Sequence, residues 1–93
     1  MNSAHTPILR AILHDGKVWL SYRLGLADGI TLLSRRDFEA EYSAIADDEP
    51  APVVDARPKR DAHHPETRYY RAVLRYSADE IRKFSNEIVL TLP

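Results

Sequence analysis

The stretch Thr6-Pro7-Ile8-Leu9-Arg10-Ala11-Ile12-Leu13-His14-Asp15-Gly16-Lys17-Val18-Trp19-Leu20-Ser21-Tyr22-Arg23-Leu24 alternates on either side of Asp15-Gly16. Asp-Gly between alternating runs marks a type I′ turn, because both central residues must adopt positive φ. A two-residue turn sets the register: His14 faces Lys17, Leu13 faces Val18, Ile12 faces Trp19, and so on to Leu9 and Tyr22. Side chains alternate along a strand, so the ribbon divides into two faces. Leu9, Ala11, Leu13, Val18, Leu20, Tyr22 and Leu24 make one apolar face, suited to a core. Ile8, Arg10, Ile12, His14, Lys17, Trp19, Ser21 and Arg23 make the other, where cations surround an Ile8/Ile12/Trp19 cluster. A lone hairpin is marginal in water, so the rest of the chain must cover at least the first face.

Beyond the hairpin, Asp28-Gly29 and the apolar run Ile30 to Leu33 predict a second hairpin and a three-stranded meander. Ser34 with Asp37 three residues on reads as a helix N-cap, and Phe38, Tyr42 and Ile45 fall on one helical stripe. The spacing predicts a helix over 35–46. Residues 47–66 hold four of the six prolines and switch from acidic (Asp47, Asp48, Glu49) to basic (Arg57, Lys59, Arg60). They read as a flexible Pro-rich charged loop in which Val53-Val54 is suited to brief pairing with a sheet edge. Thr67 to Tyr76 alternates again, with Tyr70, Ala72, Leu74 and Tyr76 on one side and Tyr69, Arg71, Val73 and Arg75 on the other. Ser77-Ala78-Asp79-Glu80 has the form of a capping box and predicts a helix over 78–87 with Ile81 and Phe84 on its stripe. The β-branched content of Ile88 to Leu92 favours a final strand. The expected order is β-β-β-α-loop-β-α-β: one α+β domain over residues 1–93, mainly antiparallel, with both helices on the Leu9/Leu20/Tyr22 face.

Composition narrows the function classes. Ninety-three residues with 44% hydrophobic content support one modest core. There is no cysteine, which excludes a disulfide framework, a thiol nucleophile and a Cys-based zinc site. A net charge of −1 argues against strong global attraction to nucleic acid or anionic membranes. The start of the chain lacks the basic region and apolar run of a secretory signal, and no apolar stretch is long enough to span a bilayer. The expectation is a soluble cytoplasmic protein.

No catalytic or metal-binding pattern stands out. In Asp61-Ala62-His63-His64-Pro65-Glu66, neighbouring side chains diverge instead of converging on one ion. Gly16, Gly25 and Gly29 each read as turn residues, which leaves no phosphate-cradling loop. No enzyme, cofactor or metal is expected. The sharpest feature is a face on which Arg10, Ile12, Trp19 and Arg23 would lie beside Tyr69, Arg71 and Arg75, if the strand over 67–76 joins the hairpin's sheet. Trp, Tyr and Arg are the types enriched at protein-binding hot spots. The alternative is a single-stranded nucleic-acid platform, where rings stack bases and cations hold phosphates. A third class is a structural component that self-associates, for instance as a homodimer. Seven carboxylates between Asp37 and Asp55 also suggest a phosphate mimic.

The piece Asp28-Gly29 with Arg36-Asp37-Phe38-Glu39-Ala40-Glu41-Tyr42 is similar to a turn-strand unit followed by Phe-Glu-x-x-Tyr in some small phage proteins. That resemblance implies a phage or mobile-element origin and transfers no functional residue. The combined expectation is a small non-enzymatic protein-binding module, an accessory protein that docks on a host complex and inhibits it.

Overall fold

The computed structural model describes residues 8–77 and 80–93. Ala78 and Asp79 of the expected capping box lie outside these. Among the described residues there are eight strands and no α-helix. They are β1 (Leu9–His14), β2 (Lys17–Tyr22), β3 (Gly29–Arg36), β4 (Ser43–Asp47), β5 (Val53–Asp55), β6 (Glu66–Tyr76), β7 (Ile81–Phe84) and β8 (Ile88–Leu92). The expected α+β class is therefore corrected to a nearly all-β fold of two antiparallel sheets.

Sheet A has the order β1-β2-β5, and sheet B the order β4-β3-β6-β7, with β8 also on β6. The hairpin has the expected register from Leu9↔Tyr22 to His14↔Lys17. Its turn residues Asp15 (φ 54°) and Gly16 (φ 73°) take the left-handed conformation a type I′ turn needs. Val53 and Val54 pair with β2, as their β-propensity suggested. β6 buries Glu66, Arg68, Tyr70, Ala72 and Leu74 and turns Thr67, Tyr69, Arg71, Val73 and Arg75 outward.

The two inner faces meet in one core. Leu9, Val18, Leu20 and Val53 of sheet A pack with Ile30, Leu32, Ala46, Tyr70, Ala72 and Leu92 of sheet B. The second sheet thus covers Leu9, Val18 and Leu20 of the hairpin's apolar face, where two helices were expected, and leaves Leu13 and Leu24 exposed.

Three local readings change, each for a physical reason. The meander does not form, because Asp28 bonds to β6 instead of β2. Its amide donates to the Arg75 carbonyl (2.7 Å) and its carboxylate accepts from the Ser77 amide (2.6 Å). That crossing delivers β3 to the other sheet. The helix over 35–46 is replaced by the end of β3, a turn and β4. Ile30, Leu32 and Ser34 keep a two-residue period into the core, so Ser34 is a buried strand residue and not a cap. Glu39 closes the turn, its amide donating to the Arg36 carbonyl and its carboxylate accepting from the Arg36 amide (2.7 Å).

The helix expected to run on to residue 87 is replaced, over its described part, by β7. β7 and β8 together form the second edge partner of the long strand β6. The pairing slips by one residue between them, a β-bulge at Ser85-Asn86. The Ser85 hydroxyl there accepts the Ala72 amide at 2.8 Å. Asn86 is turned toward sheet A, where its side-chain amide accepts from the Leu9 N–H (3.0 Å) and donates to the Leu9 carbonyl (2.9 Å). One side chain thus imitates a strand and joins the two sheets.

The expected 47–66 loop contains β5, and its later half is tied down. Lys59 Nζ donates to the carbonyls of Ala62, His64 and Pro93. No helix among the described residues is long and apolar enough to cross a membrane.

Candidate functional site

Three groups of polar and aromatic side chains stand out: one between the sheets and one on each outer face. Parity along β6 decides which residues go where. Continuing the inward series back from Tyr70 gives Arg68 and Glu66, which lie between the sheets with Asp55 of β5 and Ser34 of β3. Arg68 is fully buried. Its Nε donates to Glu66 (2.7 Å), and its Nη2 donates to the Arg57 carbonyl (2.9 Å). Asp55 accepts from the Tyr70 hydroxyl (2.6 Å) and from Arg57 Nε and Nη2 (2.8 Å each), while Arg57 Nη2 also donates to Ser34 Oγ (2.9 Å).

Burial alone would raise the Asp55 carboxyl. Hydrogen bonds from Arg57 and Tyr70 and the Arg57 charge outweigh it and hold the group at about 2. Burial and the Asp55 charge push the Tyr70 hydroxyl well above the usual phenol range. Both acceptor oxygens of Asp55 are already bonded and Tyr70 keeps its proton, so the cluster offers neither a free base nor a nucleophile. It acts as an ionic tie between sheets.

The outer face of sheet A carries Ile12, Trp19 and Val54 as direct cross-strand neighbours. Ile12 is 64% exposed and Val54 37%. Around this row stand Arg10, His14, Lys17 and Arg23, all exposed, with no carboxylate on the outward positions of the three strands. The Trp19 indole N–H donates to the His14 carbonyl (3.3 Å), and the two rings meet edge to face. This fixes the indole plane across the sheet.

The outer face of sheet B holds Tyr69, Arg71 and Arg75. The expected single face is therefore divided. Arg10, Ile12, Trp19 and Arg23 share one surface, and Tyr69, Arg71 and Arg75 lie on the opposite one, because β6 joins β3 and not the hairpin. Arg75 is engaged: its Nη2 donates to both carboxylate oxygens of Asp48 (2.7 and 2.8 Å) and its Nη1 to Asp47 and the Thr31 hydroxyl. Arg71 is not. Its guanidinium lies between the rings of Tyr42 (4.4 Å) and Phe84 (4.3 Å), and its Nε is buried without a hydrogen-bond partner. Arg35 stacks on Tyr69 at 4.0 Å. Tyr42 donates its hydroxyl to Glu87. Burial and Glu87 raise that hydroxyl to about 12, so it stays protonated.

Sequence reasoning missed Arg35, Tyr42, Phe84 and Val54 as surface partners. The signal for Arg35 and Phe84 was strand parity, hidden beneath an apparent helical stripe. Tyr42 is placed by the turn after β3 and had no local signal.

The acidic run is largely consumed internally. Asp47 and Asp48 meet Arg75, Asp55 meets Arg57, Glu39 meets Arg36, and Asp37 accepts from the Thr67 amide. In the His63-His64 segment, Asp61 accepts from the His63 amide and bonds the His64 ring. No group of three or more potential metal ligands converges among the described residues.

No protein-family model, curated protein or solved structure matches this chain.

Proposed function

We propose that the protein is a small non-enzymatic protein-binding module whose working surface is the outer face of sheet A. The observation that carries this reading is the Ile12–Trp19–Val54 row, with Ile12 and Val54 exposed and Trp19 half-buried between them, inside a ring of Arg10, His14, Lys17 and Arg23. An apolar centre with a rim of one charge is the anatomy of a compact protein-binding patch: the centre supplies desolvated area and the rim steers and orients. The matching partner presents an apolar or aromatic side chain flanked by carboxylates. On this reading the domain acts in the cytoplasm, where it occupies an acidic-rimmed surface of a larger complex and blocks it.

Selection of a displayed random-peptide library on the immobilised protein tests the reading. The expected ligands are acidic peptides with a central apolar residue. Trp19→Ala weakens them at least tenfold, the usual loss for a hot-spot aromatic. Ligands that bind Trp19→Ala and Ile12→Ala as well as the parent protein would overturn it.

A further inference from the structure

The opposite face of the sandwich is built for a different ligand. Between the β3–β4 turn and β7 runs an open groove of about 560 Å³, lined by Leu33, Arg35, Tyr42, Arg71, Val73 and Phe84 among others. Arg71 is held there by two rings, its Nε is buried without a hydrogen-bond partner, and among the described residues its guanidinium donates to no protein acceptor. Glu87 is close enough to accept from Tyr42, yet it bonds the phenol and leaves the guanidinium alone. Arg35 is held over the Tyr69 ring and its guanidinium donates once, to the Glu39 carbonyl.

Two planar cations are thus fixed by stacking, with N–H edges left over for an external oxyanion. Phe84 is 60% exposed, so the ring face not taken by Arg71 can stack a flat group. Tyr69 and Val89 are neighbours across β6 and β8 and continue the apolar strip.

We infer that this groove binds single-stranded nucleic acid, with phosphates on Arg71 and Arg35 and bases against Phe84 and Tyr69. The pairing of stacking rings with backbone-holding cations on a sheet face is the chemistry such strands require. The rings distinguish this ligand from a purely acidic peptide such as polyglutamate, which would use the cations and leave the aromatic faces empty. Glu41 and Glu87 border the groove, so the electrostatic share is small and stacking supplies most of the affinity. With about two phosphate contacts, log affinity falls against log salt with a slope of only about −1.4.

The test is fluorescence anisotropy of a labelled oligothymidylate of about ten nucleotides, a length within the reach of one small sheet platform. The same titration is run with a matched duplex and with a polyglutamate peptide. The single strand is expected to bind preferentially. Phe84→Ala and Arg71→Ala each weaken it about tenfold or more, in the range of one lost stacking contact. Arg71→Lys weakens it too, since a lysine keeps the charge and loses the stacked plane. Phe84 is exposed, so its truncation leaves the fold intact even if the Arg71 variants melt early. Trp19, the chain's one tryptophan, reports on sheet A and keeps its emission unchanged throughout. Absence of binding at low salt overturns the inference. So does full binding by Phe84→Ala, equal binding of duplex or polyglutamate, or quenching of Trp19 by the oligonucleotide.

Discussion

On sheet A, Arg10, Lys17 and Arg23 stand around one tryptophan, and the outward strand positions carry no carboxylate. On sheet B, Arg35 and Arg71 lie over aromatic rings, and Arg75 is bonded to Asp47 and Asp48. Both faces draw on arginine and aromatic residues, and composition alone does not separate them. What separates them is where each cation's hydrogen bonds go. A cation among carboxylates is satisfied, one over a ring is oriented but still able to donate, and one at an exposed rim contributes mainly long-range attraction. A positively charged residue predicts a binding role only after its partners are counted.

The comparison depends on the two faces being held back to back, and the ionic tie inside does this. Asp55→Ala would leave Arg68 buried with one carboxylate fewer, and removal of one member of such a pair costs about 3–5 kcal/mol. Denaturant unfolding should show that loss, and both faces should fail together. Acid acts on the same group. The folded Asp55 carboxyl sits near 2 against an ordinary 3.8, so its stabilisation is complete above the unfolded value. It is lost as pH falls from about 4 towards 2, which an acid titration of stability at fixed temperature would follow.

A smaller break is Asn86→Ala. It removes the side chain that bonds both the N–H and the carbonyl of Leu9, leaving those buried backbone groups open. The expected cost is about 1–3 kcal/mol in thermal unfolding, with the β1 amides exchanging faster than those of β6.

The smallest effect sharpens the comparison most. Arg75 shares a face with Arg71, but its partners Asp47 and Asp48 are largely exposed. Arg75→Ala should cost under about 1 kcal/mol and leave oligonucleotide affinity unchanged. A loss as large as that of Arg71→Ala would mean that carboxylate pairing does not silence a cation on this surface.

Part of the fold is legible in the chain, and what is legible is local. Asp15-Gly16 specifies the hairpin, its register and both of its faces, and alternation over 67–76 specifies the phase of β6. The separation of the sheets is not local. Asp28-Gly29 looks like another hairpin turn, and only the bonds from Asp28 to Arg75 and Ser77 reveal a crossing. The two apparent helices arise from apolar residues that fall at helical spacing for unrelated reasons. Phe38 is drawn between Arg36 and Arg60, Tyr42 lies on Arg71, and Phe84 pairs with Val73. Short windows cannot separate such coincidences from a true stripe, and the unpaired edge of β6 imposes strand where the local pattern suggested helix. The division of the candidate site has the same origin: the phase of each strand is local, while the sheet that the strand joins is not.

The most direct test of two independent surfaces is amide chemical-shift mapping of the labelled protein. It is titrated in turn with the oligothymidylate and with a selected acidic peptide. Two separate sets of shifts are expected: Arg35, Tyr42, Tyr69, Arg71, Phe84 and Val89 for the oligonucleotide, and residues between Arg10 and Arg23 with Val54 for the peptide. If both ligands move the same set, or the oligonucleotide shifts fall around Trp19, the assignment of separate ligands to the two faces is wrong.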